Sequence, residues 1–224
     1  MIPFTLPRNS IIHGDCLNVM RTLPSRSVDF ILTDPPYVTR YRDRSGRQVL
    51  NDDNADWIEP AYAEMYRLLK FNSFAVSFYG WNSIDRFSAA WAKAGFRIVG
   101  HIVFRKRYAS SRGYLARHHE NAYLLAKGRP DMLSRRVIGD VIDMPYTGNR
   151  LHPTQKPVAA LTPLVESFCP QGGIVLDPFC GSGSSLVAAQ KNHRAWLGVE
   201  LDSRHHRTAC DRLGCDMRET AWAS

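Results

Sequence analysis

Strand-like and helix-like apolar periods take turns along most of the chain, and a chain that alternates in this way predicts a mostly parallel sheet with helices on both faces. The stretch 28–33 is a short apolar run closed by two prolines, so it reads as a buried strand ended by a stiff turn. Ile58, Tyr62, Met65 and Leu69 recur at helical spacing within 57–70, and 73–79 follows as a strand. The segment 83–94 predicts a helix ended by Gly95 at its C-cap, with a strand over 96–104. Further strands are predicted at 119–126, 173–176 and 195–200, and helices at 157–168, 184–191 and 203–213. Three long irregular stretches remain, 38–55, 105–118 and 128–155, and long loops in a compact domain tend to carry function. No internal repeat or Gly/Ser linker divides the chain. The expectation is one domain over 1–224, a doubly wound, Rossmann-like α/β sheet finished by an antiparallel strand.

With 224 residues the chain can bury a core without metals or disulfides. No apolar run approaches the roughly 18 to 20 residues of a membrane span, and the first ten residues lack the pattern of a secretory signal. The expected location is the cytoplasm, with no membrane partner. Five cysteines without a Cys-x-x-Cys pair read as reduced thiols, and the adjacent pairs His118-His119 and His205-His206 lack spaced partners, so no metal is predicted. The net charge of +8 is concentrated: residues 97–150 hold 11 Lys or Arg against four acids. Such a field suits a polyanion, because neutralised phosphates release their counterions; a solvated basic surface is the equal alternative.

Asp34-Pro35-Pro36-Tyr37 stands at the carboxyl end of the first clear strand, the edge where open α/β sheets bind ligands. The prolines stiffen the backbone and hold the Pro35 carbonyl beside the Asp34 carboxylate. Two neighbouring acceptors suit an amino group with two hydrogens. On an exocyclic base nitrogen they would favour the pyramidal, reactive geometry, and Tyr37 offers a face for a base drawn out of its stack. The plain alternative is a strand-ending turn.

The second motif, Asp177-Pro178-Phe179-Cys180-Gly181-Ser182-Gly183, runs from a strand through a Gly turn into a helix, a geometry that cradles a ligand against backbone N–H groups. It lacks the lysine of a phosphate-binding loop, and Leu186 stands where a dinucleotide fingerprint needs its third glycine. Asp177 would repel a pyrophosphate and attract a cation. S-adenosylmethionine, with its ammonium and sulfonium, fits better, and Glu200 at the end of the next strand suits its ribose. Glu200 could instead cap the helix that follows it.

Taken in order, Ile12-His13-Gly14-Asp15-Cys16-Leu17, Asp34-Pro35-Pro36-Tyr37, His152-Pro153-Thr154-Gln155-Lys156-Pro157 and the Asp177–Gly183 turn resemble the amino-methyltransferases of the β permutation class, relatives of restriction-modification enzymes. The resemblance spans roughly residues 10–213 and places a catalytic half (10–130) before a cofactor half (150–213). It implies a DNA methyltransferase using S-adenosylmethionine. By that resemblance Asp15 and Cys16 would contact the cofactor's adenine. Thr154, Lys156 and Pro157 would sit near its methionine end; Phe179, Gly181 and Gly183 would line the pocket, and Glu200 would hold the ribose. Asp rather than Ser at position 34 implies adenine N6 as the target over cytosine N4.

Family members with a defined recognition sequence often carry a sizeable insert, and this chain lacks room for one. Target reading would fall to two basic loops, one with Arg40, Arg42, Arg44 and Arg47, the other with Arg105, Lys106, Arg107, Arg112 and Arg117. His119-Glu120 also resembles a family feature, or is an ordinary structural pair. The expected partner is double-stranded DNA; a homodimer and a nuclease partner are left open. A catalytically silent DNA-binding protein is the reading from another class, opposed by the retained acids Asp15, Asp34, Asp177 and Glu200.

Overall fold

Strands β2 (Val28–Thr33) and β7 (Ile174–Asp177) lie side by side and parallel, with Phe30 opposite Val175 and Ile31 opposite Leu176. Both are buried along nearly their whole length, as the unbroken apolar runs require. The computed structural model describes residues 6–38, 54–109, 114–133, 137–148, 151 and 155–215. From β2 the chain winds one way, through α2 (Ile58–Leu68) to β3 (Leu69–Phe78). From β7 it winds the other way, through α5 (Ser184–Lys191) to β8 (Ala195–Glu200). The β2/β7 pair is therefore the topological switch point, where a crevice opens at the carboxyl ends of the strands.

Beyond β8 lies β1 (Ser10–His13); beyond β3 come β5 (His119–Lys127), β4 (Arg97–Arg105) and β6 (Val141–Asp143). The sheet order is β1-β8-β7-β2-β3-β5-β4-β6. Among the described strands β5 alone runs against the rest, paired antiparallel to both β3 and β4. This corrects the expectation of an antiparallel strand finishing the sheet: the reversed strand is internal, and parallel β6 forms the edge. Three elements fall where no strand or helix was expected. They are β1, the helix α1 (Cys16–Thr22), and β6 within the stretch expected to be irregular.

Strand alternation sends side chains to two cores. Phe30, Phe74, Val76, Phe78, Val175 and Trp196 pack against α4 (Val158–Phe168), α5 and α6 (Ser203–Leu213). Ile31, Ala75, Leu176, Leu197 and Val199 pack against α1, α2 and α3 (Ile84–Ala94). The helix ends obey local chemistry. Asp15 caps α1 by accepting from the Asn18 N–H, Asp202 caps α6, and Gly95 closes α3 at φ +100°, a left-handed conformation natural to glycine. No described helix is long and apolar enough to cross a membrane.

Asp29 fastens the amino end of the switch point. Its carboxylate accepts from the Ile174 N–H at 2.9 Å and from Lys70 at 2.7 Å, joining β2, β3 and β7. Asp29→Ala orphans a buried N–H, so a loss of ~1–3 kcal/mol in denaturant unfolding is expected, with the slope unchanged.

Candidate active site

Because β2 and β7 are parallel neighbours, Asp34 and Asp177 emerge together at the carboxyl edge, on the two sides of the switch point. Asp34 follows β2 directly, and each of its oxygens already accepts a bond. The Tyr37 hydroxyl donates to Oδ1 at 2.7 Å, and the Lys156 ammonium donates to Oδ2 at 2.5 Å. Burial pushes the Asp34 carboxyl up from its ordinary range against the pull of Lys156. Pro35 is buried and Pro36 half-buried, which fixes the turn. Val38 leaves it at φ +59°, a conformation that strains a β-branched residue. Gly80, after β3, backs this turn: a Cβ there would meet the Tyr37 Cβ at 2.8 Å and its carbonyl oxygen at 2.9 Å.

Lys156, expected near the methionine end of a cofactor, stands just before α4 as the centre of an ion network. Its ammonium pairs with Asp34 on one side and with Glu120 at 3.0 Å on the other. That ammonium also lies over the rings of Phe78 and Tyr37. The other oxygen of Glu120 pairs with Lys106. The two lysine side chains are 6% exposed and the two carboxylates 23%, so the acids are the more accessible members of the network. Burial alone would raise the Glu120 carboxyl, but Lys156 and Lys106 hold it below its ordinary value. Burial likewise opposes the charge on Lys156, and Asp34 and Glu120 override it upward.

Lys106 is a correction. Expected on the DNA face, it is buried against Glu120, with its backbone N–H bonded to the His118 carbonyl at 2.7 Å. Lys127, in the same basic segment, is also buried, donating to the carbonyls of Tyr66 and Leu69. The charge of 97–150 is thus partly internal. Arg105, Arg107 and Arg117 are exposed at this edge; Arg105 pairs with Asp143 at 2.8 Å and Arg117 lies over the exposed Trp81 ring. Arg40, Arg42, Arg44, Arg47, Arg112 and Thr154 lie outside the described residues.

On the other side of the crevice, Asp177 is buried. Its carboxylate accepts from the Phe179 N–H at 3.1 Å and from the Ser185 hydroxyl, yet burial pushes its pKa up to about 7. Gly181 and Gly183 turn at φ +52° and +77°, and at Gly183 a Cβ would crowd Ala209 and Leu213. Glu200 ties this turn to its neighbour by accepting from the N–H groups of Gly181 and Asp202, both at 2.8 Å. The cap of α6 is Asp202, which removes that alternative for Glu200. Asp15 and buried Cys16 stand beside Glu200, because the Gly14 N–H bonds the Glu200 carbonyl at 3.0 Å. Phe179 packs edge-on against Trp57, and Pro157 precedes α4. The site thus gathers Asp15, Cys16, Glu200, Asp177, Phe179, Asp34, Tyr37 and Lys156 along one edge.

From sequence, Lys106 is assigned to the DNA face and Glu120 appears only within the His119-Glu120 pair; neither is placed in the ion network beside Asp34. Their signal was the reversal of β5, which delivers that strand's first residues, not its last, to the carboxyl edge.

A family model described as DNA methylase (N6_N4_Mtase) matches residues 28–147 and 143–211. Over 207 residues the chain is 53% identical to "Putative methylase YubD" of Escherichia coli (strain K12), covering 92% of this chain and 91% of that protein. To the DNA adenine methyltransferase YhdJ of the same strain it is 28% identical over 246 residues, 91% and 82% of the two chains. Among solved structures, the M1.HpyAVI–SAM complex superimposes with a TM-score of 0.73 at 22% identity, over 91% of this chain and 98% of that one. The PvuII cytosine-N4-specific DNA methyltransferase superimposes with a TM-score of 0.74 at 14% identity, over 96% and 89%. These two share the fold.

Asp177 also sets a stability signature. Folding raises its pKa from the ordinary 3.8 to about 7, so the protonated form favours the fold. That advantage is complete below pH ~4 and is lost as pH rises through about 7. Asp177→Asn should therefore gain stability relative to the parent as pH rises from ~4 to ~7, in urea titrations at each pH. A parallel pair of curves would contradict the burial argument.

Proposed function

The chain belongs to the N6/N4 DNA methylase family and is a DNA methyltransferase, and we propose that it methylates the N6 amino group of adenine in double-stranded DNA. The observation that carries the choice of site is the Asp34 carboxylate at the switch point, held by the Tyr37 hydroxyl and the Lys156 ammonium. Adenine is favoured by Asp at position 34 and by the relative named as an adenine methyltransferase.

S-adenosylmethionine fits the opposite wall. Buried Asp177 is an acid whose ionised form a cationic group would stabilise, the left-handed glycines leave room for close approach, and Glu200 and Asp15 offer acceptors along the edge. When bound, the cofactor supplies an electrophilic methyl group. The chain's own residues do the rest. Asp34 and the Pro35 carbonyl accept the two amino hydrogens of a base turned out of the duplex, which holds the nitrogen lone pair outside the ring plane. Tyr37 orients Asp34 and offers its ring to the base. Asp34, whose carboxyl burial makes more basic, is the nearest acceptor for the proton that leaves the nitrogen. No covalent enzyme intermediate is required: Cys16 is buried and its thiol is pushed up to about 12, and burial also raises Cys180.

Two tests follow from this reading. DNA treated with the purified protein and cofactor, digested to nucleosides and analysed by mass spectrometry, should contain N6-methyldeoxyadenosine; N4-methyldeoxycytidine instead would overturn the base assignment. Asp34→Ala should lower turnover by a factor on the order of 10² or more while cofactor affinity changes little. Separately, replacing Arg105, Arg107 and Arg117 by Ala should weaken binding to all duplexes alike. Each lost phosphate contact should flatten the log–log salt dependence by about 0.9. Equal slopes for variant and parent would remove these arginines from the DNA face.

A further inference from the structure

Four charged side chains in alternating sign, Lys106, Glu120, Lys156 and Asp34, form a chain that ends at the acceptor of the proposed reaction. Two buried ammonium groups are expensive to hold in a fold, and a purely structural contact between β4, β5 and α4 could be made with apolar side chains. The arrangement sums to zero charge. Its cations are 6% exposed and its acids 23%, so the acids are the more accessible members.

Consider Asp34 with Lys156 as its sole partner. A buried ammonium at 2.5 Å would claim the carboxylate's charge and leave a weak acceptor for an amino group. Glu120 changes this. It holds the same ammonium from the other side at 3.0 Å, so Lys156 is shared between two acids. Lys106 in turn balances Glu120 through its other oxygen, and the Lys106 backbone is pinned to His118 at the mouth of β5. Each Asp34 oxygen then keeps one lone pair beyond those used by Tyr37 and Lys156. The groups that face Asp34 are Tyr37 from its own turn, Lys156 from the approach to α4 and Glu120 from β5. Lys106 stands behind them at the end of β4, with Asp177 from β7 and Tyr62 from α2.

We propose that Glu120, balanced by Lys106, is a positioning residue that divides the Lys156 ammonium and so keeps Asp34 oriented and basic enough to receive the target amino group. The proposal rests on Asp34 being that acceptor. Its action is indirect: Glu120 touches Lys156 and not the base.

Opposite charge changes at Glu120 and Lys106 should move Asp34 in opposite directions. Glu120→Gln removes a negative neighbour and leaves Lys156 to Asp34 alone, so the Asp34 carboxyl should titrate at lower pH than in the parent. Lys106→Met leaves Glu120 unbalanced, draws Lys156 away, and should raise the Asp34 midpoint. Carbon-detected NMR of the ligand-free protein, with Asp34 assigned by its loss in Asp34→Asn, reads both shifts without any turnover. In kinetics, Glu120→Gln should lower kcat by a factor on the order of 10 to 10², with KM for cofactor and DNA within about twofold. Its acid limb should move to lower pH, and Glu120→Asp should restore part of kcat. Should Glu120→Gln fail to fold, Lys106→Met/Glu120→Gln removes a neutral pair and must still show the lowered kcat. A fall in kcat with the Asp34 midpoint unmoved would overturn the proposal, since that is what a structural role predicts. So would shifts of the same sign in the two single variants, or a shifted midpoint with kcat unchanged. Failure of the underlying reading is distinct: Asp34→Ala would then retain turnover whatever Glu120 does.

Discussion

Parallel pairing of β2 with β7 is the contact on which the rest of the molecule depends. Each strand is too short and too apolar to be stable alone, and each needs its neighbour and a helix layer on both faces. Once they pair, the right-handed crossovers through α2 and α5 must lie on opposite faces, which splits the core in two and opens the crevice between the strand ends. The residue after β2 and the last residue of β7 then face each other across that crevice. Every later feature of the site builds on those two positions.

The same geometry explains why the site is expensive for the fold. Asp177 is buried with two hydrogen bonds and no counter-ion among the described groups that shift it, and its carboxyl is pushed up to about 7. That shift from 3.8 corresponds to a penalty on the order of 4 kcal/mol for the ionised form at neutral pH. Asp34 escapes part of the same penalty because Lys156 stands beside it. The two walls of the crevice are therefore unequal. The acid with a resident cation belongs to the wall assigned to a neutral amino group. The acid without one belongs to the wall assigned to a cationic ligand, whose charge would offset the burial.

Much of this was legible in the sequence because strand–helix alternation is a strong periodic signal and the turn residues are unambiguous. The helices and strands expected at 184–191, 195–200 and 203–213 coincide with α5, β8 and α6, and Gly95 closes α3 as expected. The misses have physical reasons. Strand β1 has four residues and β6 three, too few to show a period, and α1 is two turns that stand largely on the Asp15 cap. The place of β5 inside the sheet is set by pairing with β3 and β4 together, which no local pattern encodes. Lys106 misled for a related reason: its neighbours Arg105 and Arg107 are exposed, and at the end of a strand one residue's step turns a side chain from solvent to core.

Reversal of β5 has two consequences that belong together. A parallel strand would contribute its last residues to the carboxyl edge and send its connection away from it. An antiparallel β5 after β4 brings both ends of their connection to that edge, where the Lys106 N–H is bonded to the His118 carbonyl. The residues just inside the bond, Lys106 and Glu120, turn inward to Lys156 and Asp34, while Arg107 and Arg117 just outside it stay exposed. One topological choice thus supplies a buried ion chain reaching the proposed acceptor and exposed arginines beside it at the same edge.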